Sequence, residues 1–323
     1  FYLLSDEYFA WERFAVGSAK DMFCYWKPDL IISSSLPFAS HVVGSKISRE
    51  YSLKWIADCR DLWSGGVGAR LGPISSILYP LIEKYYLKNA SIITTVSEPL
   101  SDVLKKNLNK KSLVIYNGYD TYKFSSDELN EIELIKKNNE RLLVINYMGS
   151  LYEGRDPTLL LEVVKNNKYL KDHVVINFYS YNNEYLKEKI LCYVNLINVN
   201  ILKPVTFNKS QVIQKISDIL LYVSYNSNQH NSIGVLSGKA FEYLNSDRPI
   251  LSIGKNSYHP LIDDSLMQHF SGYKEIENYL CEKLDQKLDN KFISETKSSL
   301  KHRWSREYQT NKLNKEINKL CEQ

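Results

Sequence analysis

Cysteine is sparse in this chain and unpaired by spacing. Its five residues, Cys24, Cys59, Cys192, Cys281 and Cys321, are scattered, odd in number and contain no C-x-x-C. That pattern offers no zinc set and reads as free thiols in a reducing compartment. Long apolar runs are missing too: none approaches transmembrane length, and no secretory signal is visible. The expected location is therefore the cytoplasm. Several catalytic signatures are absent. No G-x-x-x-x-G-K-[ST] occurs, which excludes a P-loop, and no G-x-G-x-x-G, which argues against a nicotinamide dehydrogenase. No G-x-S-x-G occurs, which argues against a serine hydrolase. No D-x-D occurs, so a metal-bridged diphosphate site has no ready ligands. A strong charge of one sign is also lacking. The net charge is +4, which suits an anionic substrate or an anionic membrane surface but not a dedicated nucleic-acid binder.

What is present is a long, evenly mixed chain. Its 323 residues are 44% hydrophobic and 24% charged, enough for two ordinary domains with a sizeable core. Strand and helix patterns alternate. Helices are expected at 8–26, 38–50, 74–89 (kinked at Pro80) and 98–109, with strands at 29–32, 53–57, 92–96 and 113–116. A Gly-rich loop covers 64–72, and Asn117-Gly118 ends the last strand as a hinge-like turn. Residues 120–140 are polar, with room for a helix, and mark the domain junction. Strands at 142–148, 174–179, 199–202, 219–224 and 250–253 then alternate with helices at 157–166, 183–193, 210–217 and after Ser237. A Lys-rich helix closes the chain. The implied domains are 1–120, 121–300 and a C-terminal helix at 301–323 that returns to the first domain. The fold class is α/β, two doubly wound parallel sheets with a ligand expected in the cleft between them, outside the carboxyl ends of the strands. The chain opens at Phe1 inside a pattern, so the start of the first domain is expected to be missing.

Four stretches can carry chemistry. In GVLSGKAFEYLNSDRPILSIG (234–254), Ser237 is expected to cap a short helix whose apolar face is Ala240, Phe241 and Leu244. Lys239 then sits in the first turn, at the positive end of the macrodipole, where a cation is disfavoured. Either Lys239 and Glu242 form a solvated ion pair, or a bound anion offsets the lysine while Glu242 accepts hydrogen bonds from sugar hydroxyls. In MGSLYEGRDP (148–157), two glycines let the backbone approach a ligand, and Arg155 offers a fixed fork to phosphate oxygens; the bland alternative is a surface arginine beside a turn. In WIADCRDLW (55–63), Asp58, Arg60 and Asp61 stand at the carboxyl end of a strand, where they can hold polyol hydroxyls or one another. The basic set Lys105, Lys106, Lys110 and Lys111 suits either anionic lipid heads or solvent.

These stretches, in this order, resemble family 4 glycosyltransferases of the GT-B fold, of the bacterial polysaccharide-assembly type. The likeness rests on WIADCRDLW, TVSEPLSDVL (95–104), YNGYD (116–120), YMGSLYEGRDPTLLLEVV (147–164) and GKAFEYLNSDRPIL (238–251). The resemblance implies two Rossmann-like domains, the first binding a saccharide or lipid-linked acceptor and the second a nucleotide-sugar donor. It implies retention of anomeric configuration with neither metal nor other cofactor. Glu242 takes the place of the second glutamate in the family's E-x7-E pair, which holds the donor ribose; the first falls on Gly234. Arg155 lies near the family's basic diphosphate position, and Ser150 replaces the arginine that often follows Gly149. Lys239, with the amides of Val235, Leu236, Ser237 and Gly238, would share the diphosphate charge. Arg60, before Asp61, takes the place of a family histidine, and Asp58 falls on the acceptor side. A nucleotide-sugar epimerase or hydrolase on the same fold, and a non-catalytic nucleotide-sugar-binding relative, are the competing readings.

Overall fold

The computed structural model describes residues 9–64, 73–181, 184–225, 234, 236–291 and 300–322. They form two compact units. The first holds the described residues up to Asn117 with Gly234, Leu236 and the chain from Glu307; the second holds those of Gly118–Asn228 and Ser237–Arg306.

The first unit runs α1 (Glu12–Phe23), β1 (Leu30–Ser34), α2 (Ala39–Tyr51), β2 (Lys54–Cys59), α3 (Pro73–Leu87), β3 (Ile92–Thr95), α4 (Glu98–Leu108) and β4 (Leu113–Val114). Its sheet has the order β1-β2-β3-β4, and all neighbours are parallel. On β2, Trp55, Ile56 and Ala57 are all fully buried, as a parallel strand between helices requires. Trp55, Ala57 and Cys59 pack with Leu87, Ile93, Leu100 and Leu104 to form this unit's core. α4 begins where Ser97 Oγ accepts the Leu100 amide at 3.4 Å, with Pro99 in the first turn. The strand expected at 113–116 is shorter, because the Tyr116 amide leaves the ladder for Gln309 Oε1 at 3.0 Å.

The second unit continues with α5 (Ser126–Asn138), β5 (Leu143–Met148), α6 (Thr158–Asn166), α7 (Lys168–His173), β6 (Val174–Tyr179), α8 (Glu184–Ile190), β7 (Val199–Leu202), α9 (Phe207–Ile216) and β8 (Ile219–Val223). It ends with α10 (Gly238–Glu242), β9 (Ile250–Ile253), α11 (Pro260–Asp263), β10 (Gln268–Phe270) and α12 (Tyr273–Leu288). The last helix, α13 (Arg306–Cys321), belongs to the first unit from Glu307 onward. The sequence pattern predicts none of α7, α11, β10 and α12. All strands of the second sheet are parallel, in the order β7-β6-β5-β8-β9-β10.

That order decides where a ligand belongs. From β5 the chain moves outward to β6 and β7, then returns to place β8 on the other side of β5. The carboxyl ends of β5 and β8 thus flank the point where the winding reverses, which leaves a crevice between oppositely directed connections. Every residue of β5 and β8 is buried. One polar residue inside β5 helps pin the register. Asn146 donates to Ser217 Oγ at 2.8 Å and accepts from Asn177 at 2.9 Å, and Asn177 accepts in turn from Asn200 at 2.9 Å. These three asparagines are register partners across β5, β6 and β7, so a one-residue slip would leave the buried Asn146 amide without its partners.

Candidate active site

The loop after β5 and the start of α10 converge at this reversal point. Gly149 has φ of +100°, and its amide donates to the Tyr179 carbonyl at 2.8 Å. A Cβ at Gly149 would lie 3.2 Å from Lys239 Nζ. The glycine therefore serves both the turn and the approach of the lysine. Lys239 Nζ donates to the Tyr147 hydroxyl at 2.8 Å and stands 4.2 Å from that ring's centroid. The same hydroxyl donates to the Ser150 carbonyl at 2.9 Å, so Tyr147 ties the glycine loop to the lysine.

Arg155 closes the loop and is only 5% exposed. Its guanidinium carbon lies 4.7 Å from the Tyr225 ring centroid and 5.8 Å from that of Tyr222. Its Nε is buried with no hydrogen-bond partner among the described residues. Among the described residues no carboxylate pairs with Arg155 or Lys239. Burial, then repulsion from Arg155, pulls the Lys239 pKa down to about 7. Burial pushes the Tyr147 and Tyr222 hydroxyls up, so both stay neutral. His259 Nδ1 accepts the Leu261 amide at 3.2 Å, and burial, then Arg155, holds its pKa down to about 3. The pocket is thus two cations set in neutral aromatic groups. Such an arrangement is poor for stability and well suited to an anion.

The structure revises the expected helix. α10 has five residues and tightens into a 3-10 turn over Tyr243–Ser246, so little macrodipole acts on Lys239. The strain on the lysine comes from burial instead. Ser237 occupies the N-cap position, but its side chain makes no capping bond, and its amide is bound by the Tyr222 hydroxyl. The Lys239–Glu242 pair does not form: Glu242 accepts from Arg306 Nη2 at 3.2 Å, and Arg306 also binds Asp120. Ala240, Phe241 and Leu244 are buried as an apolar face. Val235 lies outside the described residues.

Gly234 and Leu236 are held in the first unit. The Leu236 carbonyl accepts from Asn117 Nδ2 at 3.3 Å. Gly234 has φ of +91°, and a Cβ there would lie 2.8 Å from Ser97 Oγ and 2.9 Å from Pro99 Cβ. No side chain fits at 234 in this backbone. Nearby in sequence to β2, Asp58 accepts from Ser34 Oγ at 2.8 Å and from Thr94 Oγ1 at 2.7 Å, with Arg60 Nη1 3.8 Å away. Arg60 also binds the Asn117 side chain. Asp58 and Arg60 therefore hold one another and their loop. The Asp61 carboxylate makes no hydrogen bond or ion pair with them among the described residues, and its pKa is raised by burial against the opposing pull of Arg60. Buried Glu83 ties down the segment that follows, accepting from Ser64 Oγ and from Asn107 Nδ2. Sequence reasoning missed Tyr147, Tyr222, Tyr225 and His259. The available signal was position: three of them close or follow the two strands that flank the reversal point. Among the described residues no three His, Cys, Asp or Glu side chains gather to hold a metal.

No family model and no curated protein matches the chain. Solved structures do. Anabaena HepE, crystallised with UDP and glucose, is 13% identical with a TM-score of 0.68, over 95% of this chain and 81% of its own. Sucrose-phosphate synthase from Thermosynechococcus elongatus is 11% identical with a TM-score of 0.71, over 97% of this chain and 79% of its own. The α,α-trehalose 6-phosphate synthase of Burkholderia multivorans is 9% identical with a TM-score of 0.67, over 97% and 77%. The fold is GT-B. At such identities the likeness speaks for the GT-B architecture alone, and the chemistry has to come from the residues of this chain. No described helix is long and apolar enough to cross a membrane.

Proposed function

We propose that this protein is a glycosyltransferase that moves a sugar from a nucleotide-sugar to a saccharide or lipid-linked acceptor, in the assembly of a surface polysaccharide or glycolipid. The observation that carries this reading is a pair of cations without carboxylate partners among the described residues, the buried Arg155 and the part-buried Lys239, at the reversal point of the second sheet. A nucleotide-sugar places a diphosphate between two hydroxyl-rich groups, and the reversal point of such a sheet is where nucleotides are held. The GT-B architecture shared with UDP-bound HepE supports the same reading.

The chemistry follows from where charge grows. As the bond from the anomeric carbon to the diphosphate breaks, its electron pair stays on the phosphate oxygen. Arg155 and Lys239 are fixed before that charge appears, so they stabilise the transition state more than the ground state. The acceptor oxygen then attacks from the face the diphosphate leaves, which retains configuration without a metal ion. Glu242 binds the donor ribose after exchanging its contact with Arg306. Asp61, whose carboxylate is not taken up by its neighbours, faces the acceptor hydroxyl. The test is sugar transfer from a nucleotide-sugar panel with Arg155→Ala and Glu242→Ala alongside. Loss of one donor-phosphate contact lowers kcat by about 10²–10³-fold. Undiminished transfer in both variants would sink the assignment.

A non-catalytic nucleotide-sugar binder is favoured by one observation, the closed space at Gly234 where the family often carries a glutamate. Binding of nucleotide-sugar without transfer to any acceptor would select it. We also propose that the enzyme works at an anionic membrane surface. α1 has no buried residue and exposes Phe14 and Met22, with the exposed Trp11 at its N-cap position, beside Arg13 and Lys20.

A further inference from the structure

In the first unit, α3 is apolar on two opposite faces. Tyr79, Glu83 and Leu87, spaced four apart, form its inner face and are buried. Ile77, Leu81 and Tyr85 lie on the opposite side of the helix at the same spacing, and they are 68%, 60% and 50% exposed. From Ile77 to Leu87 the only charges are Glu83, which is buried, and Lys84. A helix that is apolar all round ordinarily has cover on every side. Here the protein covers one side only.

The rim of the outer stripe is basic. Arg49 of α2 lies 5.4 Å from the Tyr85 ring centroid, and its Nη1 donates to the Tyr85 hydroxyl at 3.4 Å. Lys88 Nζ lies 5.0 Å from the same centroid, and Lys84 is exposed one turn after Leu81. Arg49 also lines an open hollow between α1 and α2, together with Arg13. The acids of that hollow are taken up already: Glu12 by Lys46 at 2.9 Å and Glu50 by Lys20 at 2.7 Å. Among the described residues, Arg13, Arg49, Lys84 and Lys88 pair with no carboxylate.

We propose that the outer face of α3 enters an anionic lipid surface, with Ile77, Leu81 and Tyr85 at the acyl boundary and Arg49, Lys84 and Lys88 at the lipid phosphates. The proposal rests on the membrane reading above and names the face that meets the lipid. Anionic lipid covers the apolar stripe and supplies the absent counter-charges together. Tyr85 suits that boundary, with an apolar ring and a polar tip. A second copy of the chain fits poorly, because a two-fold contact over this stripe would set Arg49, Lys84 and Lys88 against their own counterparts. The inner face of α3 holds the loop that follows Asp61: Glu83 accepts from Ser64 Oγ, and Tyr86 stacks on Trp63 with ring centroids 5.9 Å apart. The helix that meets the lipid therefore also braces that loop.

The experiment is co-sedimentation of the full chain with vesicles of phosphatidylcholine alone, and of equal parts phosphatidylcholine and phosphatidylglycerol, without nucleotide-sugar. The chain should bind the mixed vesicles, and more weakly as salt rises. Ile77→Asp/Leu81→Asp should lower the partition coefficient by about tenfold or more through lost apolar insertion. Lys84→Glu/Lys88→Glu should lower it by about tenfold or more on the mixed vesicles. Both pairs change exposed side chains, so the thermal midpoint should change little, which separates lost binding from lost fold. Phe14→Asp on α1 is the comparison. Binding lost in Phe14→Asp but unchanged in both α3 pairs would overturn the α3 assignment and leave the membrane reading standing. Absence of binding to the mixed vesicles would overturn both. A dimer in solution that Ile77→Asp/Leu81→Asp dissociates would replace the lipid with a second copy and overturn the proposal.

Discussion

Lys239 makes donor binding depend on pH, and the size of the effect can be worked out. In the empty protein its pKa is about 7, because burial and Arg155 both oppose the charge. A diphosphate beside it reverses that balance and restores the pKa toward its ordinary value near 10.5. Binding above neutrality must therefore take up a proton, and affinity follows the fraction of the empty site already protonated. That fraction drops from about 0.9 at pH 6 to about 0.03 at pH 8.5, so the affinity should fall by about 30-fold, roughly 2 kcal/mol. Among the described residues, no other group facing the site titrates in this window. Arg155 stays charged, Tyr147 and Tyr222 stay neutral because burial raises them, and His259 is neutral with a pKa near 3. The diphosphate of a nucleotide-sugar is a diester and does not titrate there either. The assay is calorimetry at constant ionic strength with the tightest binder of a donor panel, in buffers of different ionisation enthalpy so that proton uptake is counted. Lys239→Met should flatten the profile to about twofold. A wild-type affinity that changes by less than about threefold across the range, or a variant with the same slope, would refute the reasoning.

Three further outcomes are expected. Tyr147→Phe keeps the buried ring but removes the hydroxyl that holds both Lys239 and the Ser150 carbonyl; donor binding should weaken by about 1–3 kcal/mol, measured by titration. Gly234→Glu places a side chain at a φ of +91° against Ser97 and Pro99, and should lower stability by about 2–5 kcal/mol in chemical denaturation. Glu242→Ala breaks only a part-exposed contact with Arg306, so stability should move by less than about 1 kcal/mol while nucleotide-sugar binding drops by tenfold or more.

The alternation of strand and helix was legible because buried parallel strands are continuous apolar runs. Val174–Tyr179 and Ile250–Ile253 have the bounds that the pattern predicts. β10 was not legible, since three residues at a sheet edge with one neighbour carry no period. α12 did carry one: Ile276, Tyr279, Leu280 and Leu284 form a buried stripe at helical spacing, in the stretch between the strand at 250–253 and the closing helix to which no element was assigned. The short helix after Ser237 was legible, but apolar spacing alone does not distinguish an α-helix from the 3-10 turn that completes it before Asp247, where φ is +56°. At the candidate site, residue identity was legible but partnership was not. Tyr147 and Lys239 are 92 residues apart, and nothing local in either stretch says that they meet. Likewise, Glu242 three residues after Lys239 suggests an ion pair, and only the tertiary structure gives the glutamate to Arg306. Gly234 read as a missing acid; the backbone shows a position with no room for one.

The central claim is that Arg155 and Lys239 hold the diphosphate of a nucleotide-sugar. Calorimetric titration of a panel of nucleotide-sugars into the wild-type protein and Arg155→Ala tests it most directly. At least one donor should bind the wild-type protein, and the variant should bind it about 30-fold more weakly or worse, the loss of a charge-assisted phosphate contact of about 2 kcal/mol. Equal affinity in the two proteins, or no binding of any nucleotide-sugar to the wild-type chain, would contradict it.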